Sequence, residues 1–324
     1  GCGKACGKKK LWAERPPMHR KSDTHSLSII WLSIHCTVSQ VSGAMGRFDG
    51  KVAIITGSST GIGRATAVLF AKEGAKITIT GRNLAALAET KAECIKAGAK
   101  ESEILVTSGD MMEEETRKEL IDKTLDKFGK LDILVSNHGG AFIECKEDGS
   151  WNIDTFDSTF NQNTKSTLDL CLKAEPHLKK TKGDIVLVSS IGADMAVTWN
   201  PFYAMAKISL CHLTSILGYR LAKDGVRVNC VKSFRPGFIV TPFYSRLGFT
   251  PELTEKVAQF HANRTIPMGR TGTSEEIAEP IAFLADRKVS GYMTGQSIAV
   301  DGGVTLQHGA TTYSFEDIMK QNNP

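Results

Sequence analysis

Short runs of β-branched and aliphatic residues alternate with helix-length stretches from residue 51 to residue 300, and this alternation constrains the fold more than any other feature of the chain. The strand-like runs occupy 52–56, 76–80, 103–107, 131–136, 184–189, 226–231 and 297–300. Helices are expected between them at 61–73, 83–97, 113–128, 154–180, 203–224 and 274–286. The strands read as near-continuous apolar runs, the pattern of parallel strands covered on both faces. Parallel neighbours need crossover helices, and right-handed crossovers give a doubly wound sheet. The expected fold is α/β: a single domain, 45–324, built on a doubly wound, seven-stranded parallel sheet of the Rossmann type.

The chain of 324 residues carries a formal net charge of +5, which suggests nucleic-acid binding until the charge is located. Residues 1–44 hold seven basic side chains against two acidic ones, which accounts for the whole excess and leaves 45–324 neutral. A neutral body has no electrostatic footprint for nucleic acid. The apolar run 27–38 is shorter than the roughly 20 residues a membrane-spanning helix needs. Neither nucleic acid nor a membrane is therefore an expected partner. Apart from Cys2 and Cys6, the eight cysteines are scattered, with no CxxC spacing and no histidine cluster. Free thiols in a reducing, cytoplasmic compartment are expected, and no metal site.

Residues 1–44 differ from the rest in being rich in Lys, Ser and His without sustained amphipathic periodicity. A disordered or non-native leader is expected, of the kind that translated upstream sequence would add, with Met45 as the natural start. A targeting reading stays open. From Met18, a basic His19-Arg20-Lys21, the apolar run 27–38 and small residues at 42–44 follow the order of a weak secretory signal.

The first strand-like run leads into Thr56-Gly57-Ser58-Ser59-Thr60-Gly61-Ile62-Gly63, and a helix follows. Glycines at this junction let the backbone approach a pyrophosphate, and the helix N-terminus offers free N–H groups and a positive dipole end. Gly57, Ser59, Gly61, Ile62 and Gly63 are accordingly candidate cofactor contacts. The second strand ends in Thr80-Gly81-Arg82-Asn83, without the acidic residue that binds the ribose 2′-hydroxyl of NAD. Arg82 can instead pair with a 2′-phosphate, so NADP(H) is the expected cofactor. Arg64 either assists there or is a solvated helix residue.

A second constellation lies after the fifth strand. Ser189-Ser190 closes that strand, and Tyr203-Ala204-Met205-Ala206-Lys207 follows thirteen residues beyond Ser190. Tyr and Lys at i and i+4 share one helix face. A tyrosine has an ordinary pKa of about 10, and a neighbouring cation favours its phenolate, moving it toward acid–base work at neutral pH. Ser190 lies where open α/β sheets place ligands and is suited to hydrogen-bond a substrate oxygen.

With these motifs, the chain resembles the short-chain dehydrogenase/reductase family. The resemblance spans about residues 48–306 and rests on Thr56-Gly57…Gly61-Ile62-Gly63, Asn137-His138-Gly139-Gly140, Asn163, Ser190, Tyr203…Lys207, Pro236-Gly237 and Thr294-Gly295-Gln296…Asp301-Gly302-Gly303. Within the family it is most similar to nematode tropinone-reductase-like and 3-ketoacyl-reductase-like members. The resemblance implies hydride transfer between NADP(H) and a small-molecule carbonyl or alcohol. It makes Tyr203 the proton donor or acceptor, Lys207 its tuner and a ribose contact, Ser190 the orienter of the carbonyl, and Asn163 the holder of a relay water. It further implies that Asp110 contacts adenine, that Asn137 and Gly139 belong to the cofactor turn, and that Pro236, Gly237 and Thr241 cradle the nicotinamide. Relatives pair the helices corresponding to 154–180 and 203–224 across a two-fold axis, which implies a homotetramer or homodimer.

Two departures stand out. The family turn Asn-Asn-Ala-Gly reads Asn137-His138-Gly139-Gly140, where His138 is either a tolerated loop variant, the favoured reading, or an extra acid/base group. Residues 232–235 lengthen the passage from the sixth strand to Pro236-Gly237 by about three residues relative to that pattern. A catalytically silent nucleotide-binding scaffold therefore remains the alternative to an oxidoreductase. The substrate pocket is expected between 193–199 and the stretch 241–266, with Trp199, Phe238 and Phe243 either as its apolar lining or, equally, as core packing.

Overall fold

The computed structural model describes residues 46–233 and 250–307. The chain divides into two units, Gly1–Ala44 and Met45–Pro324, and every described residue belongs to the second. Pro236, Gly237, Phe238, Thr241 and Phe243 lie outside the described residues.

Seven parallel strands form one sheet in the order β3-β2-β1-β4-β5-β6-β7. They are β1 (Val52–Ile55), β2 (Lys76–Gly81), β3 (Ile104–Ser108), β4 (Ile133–Ser136), β5 (Asp184–Ser190), β6 (Arg227–Ser233) and β7 (Ser297–Val300). Every residue of β1, β4 and β5 is buried, as the uninterrupted apolar runs imply. Alternate residues of β1 serve opposite layers. Ala53 and Ile55 pack with α1 (Gly61–Lys72) and α2 (Leu84–Lys96), whose contributions include Ile62, Phe70 and Leu87. Ile54 faces the other layer, with Leu120 of α3 (Glu114–Phe128) and Leu170 of the helix beginning at Ser166. The doubly wound single sheet expected from the sequence is the observed fold.

The stretch expected as one helix, 154–180, is interrupted. A short helix α4 (Phe156–Phe160) passes through a π-helical turn (Asn161–Lys165) into α5 (Ser166–Thr181). Asn163 sits in this turn, and its buried amide donates to the carbonyls of Thr159 at 2.9 Å and Gly140 at 2.8 Å. Such π-bulges concentrate at functional sites.

The helix expected at 203–224 is α6 (Pro201–Leu221), with Asn200 as N-cap and Pro201 in its first turn, where a missing N–H costs nothing. Residues 251–264 form a helix the periodicity does not reveal, α7 (Pro251–Arg264), none of whose residues is buried. Its signal is local: Thr250 caps Leu253 N at 3.2 Å and Pro251 begins the helix. The helix α8 (Ser274–Ala285) opens with a capping box between Thr273 and Glu276 and packs beside α1.

The sixth strand is longer than expected. Lys232 and Ser233 continue β6, pairing with Ser189 and Ser190 on one side and Ala299 and Val300 on the other. The first half of the presumed loop extension is thus regular strand, and Lys232 is held by an ion pair to Asp194 at 2.6 Å.

Among the described residues, Cys94, Cys145, Cys171, Cys211 and Cys230 are free thiols. No helix there is long and apolar enough to cross a membrane, and no group of three or more His, Cys, Asp or Glu is placed to hold a metal.

Candidate active site

The strand order reverses between β1 and β4, and the open end of the sheet beside that switch point is where doubly wound folds take ligands. Here the chain leaves β1 after Ile55 and turns through Gly57 and Gly61, both at positive φ (62° and 58°), into α1. A Cβ on Gly63 would lie 2.1 Å from the Gly57 carbonyl oxygen and 2.6 Å from Asn137 Nδ2, so no larger residue fits the turn. Thr60, the residue before α1, makes no side-chain cap, and an uncapped helix N-terminus suits an anion.

Asn137 closes the cradle from β4. Its Nδ2 donates to Thr56 O at 3.0 Å and Gly57 O at 3.1 Å, and its buried Oδ1 has no hydrogen-bond donor among the described residues. A glycine cradle, an uncapped helix end and an unpaired buried acceptor together fit a dinucleotide. Ser58 fastens the turn to β2, its Oγ accepting Thr80 N at 2.9 Å and donating to Ile55 O at 2.9 Å.

Arg82 stands at the end of β2 with its guanidinium 3.3 Å from Asp110 Oδ2. Both side chains are well exposed, at 56% and 36%, so the pair is open to a competing anion. A Cβ on neighbouring Gly81 would lie 3.2 Å from Ser59 Oγ, which places that hydroxyl on the same rim. Arg64 points elsewhere. Its guanidinium donates to Ser59 O at 2.8 Å, Thr90 Oγ1 at 3.0 Å and the carboxylates of Glu89 and Glu93. It braces the turn against α2, so neither sequence reading of Arg64 describes its place.

His138 is held inside a hydrogen-bonded chain. Thr56 Oγ1 lies 2.8 Å from its Nδ1 and accepts N–H groups from Asn137 at 2.9 Å and His138 at 3.0 Å. Its Nε2 is 2.9 Å from Ser166 Oγ, which in turn donates to Gln162 O at 3.0 Å. Both ring nitrogens are occupied within the protein, in a chain running from the glycine turn to the π turn. Complete burial, then the charges of Lys207 and Arg117, bring its pKa down to about 3, so the ring is neutral. This arrangement favours the loop-variant reading over an extra acid/base group.

The catalytic candidates lie on β5, the π turn and the first two turns of α6. Ser190 ends β5 fully buried, its Oγ accepting Gly192 N at 3.1 Å. Tyr203 and Lys207 are 5% and 2% exposed on adjacent turns of α6, and Lys207 Nζ lies 5.6 Å from the Tyr203 ring centroid. Lys207 Nζ donates to Val188 O at 3.2 Å, while its own carbonyl accepts Ser189 Oγ at 2.7 Å, which ties α6 to β5. Asn163 and Gly139 reach the same place: a Cβ on Gly139 would sit 2.6 Å from Asn163 Oδ1 and 3.1 Å from Lys207 Nζ. Of the apolar lining expected around the substrate, Trp199 is half exposed, with a relative exposure of 52%.

The residues that sequence reasoning missed hold these groups in place. They are Thr56, Ser58, Ser166 and Glu144; the last is buried against the first turn of α6. Thr56 and Ser58 stand inside the glycine motif without a role the sequence gives them, and Ser166 and Glu144 carry no periodic or motif signal.

Comparison with known proteins agrees with this geometry. Residues 57–305 match a family described as enoyl-(acyl carrier protein) reductase. A 3-oxoacyl-[acyl-carrier-protein] reductase of Thermotoga maritima is 35% identical over 268 residues, covering 80% of this chain and all of the relative. Dehydrogenase/reductase SDR family member 4 of Caenorhabditis elegans is 33% identical, covering 80% of this chain and 96% of its own. Among solved structures, a short-chain dehydrogenase/reductase of unknown function from C. elegans, determined with cofactor, superposes with a TM-score of 0.78 at 40% identity, covering 83% of this chain and all of that one. The C. elegans glucose dehydrogenase in its apo form gives 0.68 at 42% identity, covering 81% of this chain and all of that one. Family, fold and site geometry coincide, and the chain belongs to the short-chain dehydrogenase/reductase family, oxidoreductases that act on CH–OH groups with NAD(P)(H).

Proposed function

We propose that this chain uses NADP(H) to interconvert a carbonyl and a secondary alcohol, with Tyr203 as general acid/base. The observation that carries the reading is the buried pairing of Tyr203 and Lys207 on one face of α6, with Nζ 5.6 Å from the ring centroid. A bound nicotinamide supplies or accepts the hydride. In reduction, Ser190 Oγ orients the substrate carbonyl and Tyr203 Oη gives it a proton. The Lys207 ammonium stabilises the resulting phenolate, and Asn163 holds the water that restores the proton.

The cradle of Gly57, Ser59, Gly61, Ile62 and Gly63 takes the pyrophosphate end, with Asn137 and Gly139 closing it. Arg82 with Ser59 receives the 2′-phosphate, and Asp110 flanks the adenine. Pro236, Gly237 and Thr241 complete the nicotinamide side. The silent-scaffold alternative drew on the longer 232–235 passage, and Lys232 and Ser233 are ordinary strand.

The catalytic unit is 45–324, in the cytoplasm, and 1–44 is dispensable to it. The proposed assembly is a homotetramer or homodimer formed through α5 and α6, where Leu172, Met205, Ile208, Ile216 and Tyr219 are exposed. The deciding experiment is a screen of ketones, aldehydes and sugars that follows NADPH oxidation, with matched chains starting at residue 1 and at Met45. Turnover of at least one carbonyl by both chains is expected. Cofactor binding with no turnover across the panel would overturn the enzymatic reading.

A further inference from the structure

Tyr203 occupies the third position of α6, in the first turn, where helices fray most readily. That turn is seated on a carboxylate. Glu144, 1% exposed in the loop that follows β4, accepts Phe202 N at 2.7 Å on Oε2 and Tyr203 N at 2.9 Å on Oε1. Thr159 Oγ1 donates to Oε1 at 3.1 Å, and the Asn200 amide, with its nitrogen turned inward, reaches the two oxygens at 3.0 and 2.8 Å. The first N–H groups of a helix lack intrahelical acceptors and carry the positive end of its dipole, so a carboxylate matches them in hydrogen bonding and in charge. Burial pushes the Glu144 carboxyl upward, and the N–H groups of Tyr203 and Phe202 and the Thr159 hydroxyl oppose that rise.

The surroundings of Glu144 are anchored as well. Its carbonyl accepts Asn152 N at 2.7 Å, at the base of a hairpin in which Cys145 bridges Trp151. Trp151 Nε1 donates to Thr198 O at 3.1 Å, just ahead of α6. The rings of Trp151 and Phe156 meet the Phe202 ring edge-on at 6.3 and 5.3 Å.

We propose that Glu144 is a positioning residue for the reaction: its buried carboxylate fixes the first turn of α6, and with it the place of Tyr203, without touching substrate or cofactor. This rests on the reading of Tyr203 as the acid/base. Lys207 lies a turn deeper and has its own anchors on β5, and the glycine cradle lies on other elements. Loss of Glu144 should therefore reach the proton transfer and spare cofactor binding. A glutamine is a poor substitute, because its amide would turn donors toward a site already filled with donors.

The test uses the full chain carrying E144Q or E144D. Misplacement of a reacting group by about 1 Å can cost about 100-fold, so E144Q should lower kcat by about 10- to 100-fold. KM for the carbonyl and NADPH affinity should stay near their starting values. Amide hydrogen exchange at Phe202 and Tyr203 should accelerate, and E144D, which keeps the charge, should recover part of kcat. In a Tyr203→Phe background, E144Q should cost little more, because both changes act on one group. Unchanged kcat in E144Q overturns the proposal, and so does a loss of equal size in the Tyr203→Phe background. If E144Q fails to fold, T159V removes one donor to the same carboxylate and should lower kcat in the same direction; full kcat there overturns it too. A starting chain without turnover would instead defeat the functional reading, and the exchange measurement would still decide whether Glu144 holds the turn.

Discussion

Gly139 and Lys207 stand so close that a single methyl group would come between them. A Cβ on Gly139 would lie 3.1 Å from Lys207 Nζ and 2.6 Å from Asn163 Oδ1, an oxygen that already accepts Gly140 N at 3.2 Å. The glycine loop after β4 thus brings the lysine of α6 and the asparagine of the π turn to one point.

Gly139→Ala should therefore damage activity more than folding. Overpacking a tight site costs about 1–3 kcal/mol, which a domain of this size can survive. The displaced Asn163 and Lys207 are the groups proposed for the relay, so kcat should fall at least tenfold on the ordinary scale of acid–base contributions, about 10²–10⁴. Thermal unfolding and steady-state kinetics on the same preparation check this, and full activity would remove Gly139 from the site.

His138 predicts a specific acid sensitivity. Its pKa in the folded chain is about 3, against an ordinary value of about 6.5 in an unfolded one, so between those values the unfolded state binds the extra proton. The stability that depends on a neutral imidazole is fully present above about pH 6.5 and is lost progressively as pH falls toward 3. The cost is at most about 1.4 kcal/mol per pH unit. His138→Asn should be less stable at pH 7, because buried hydroxyls of Thr56 and Ser166 lose their partner, at about 1–3 kcal/mol. Its melting temperature should then decline less steeply than that of the original chain from pH 6.5 to 4.5. Parallel slopes would show that the imidazole does not govern this window.

Arg82→Asp should weaken NADPH binding and improve NADH relative to it. The change sets two carboxylates side by side at 82 and 110. The Arg82–Asp110 pair it removes is exposed, and such pairs are worth about 0–1 kcal/mol, so stability should hardly move. Cofactor titration at low and moderate salt checks the assignment, since a surface contact with a phosphate weakens as salt rises. Equal affinity of the original chain for NADH and NADPH would contradict it.

How much of this was legible in the sequence depended on the range of the interactions. Buried parallel strands announce themselves because both faces are apolar, and the strand positions agree with the sheet to within a residue or two. The motif residues Ser190, Tyr203 and Lys207 could be found because a helix or strand repeats its geometry with a fixed period. Glu144 and Ser166 could not, since each depends on partners 15 to 59 residues away in sequence. The π turn was invisible because one extra residue hardly disturbs helical periodicity, and Asn163 within it bonds Gly140 across 23 residues. Helix α7 escaped because no residue of it is buried, leaving only its Thr250-Pro251 start as a signal.

The functional claim rests on Tyr203, and its test should separate proton transfer from binding. Tyr203→Phe keeps the ring that packs in the first turn of α6 and removes only the hydroxyl. A general acid/base contributes about 10²–10⁴-fold, so turnover should fall by that order while NADPH binding survives. Lys207→Met should weaken both, because the ammonium faces the Tyr203 ring and is the proposed ribose contact; its anchor on Val188 O at 3.2 Å is lost as well. Ser190→Ala should fall between them in turnover, because a small hydroxyl that orients the carbonyl leaves the proton donor in place. The order matters more than any single value. A scaffold would have no turnover to lose, and an acid/base located elsewhere would leave Tyr203→Phe nearly as active as the original chain on a good substrate. That last result would overturn the assignment of Tyr203 even if the other two variants were inactive, because Lys207 and Ser190 are buried residues whose loss can disturb the site without any part in proton transfer.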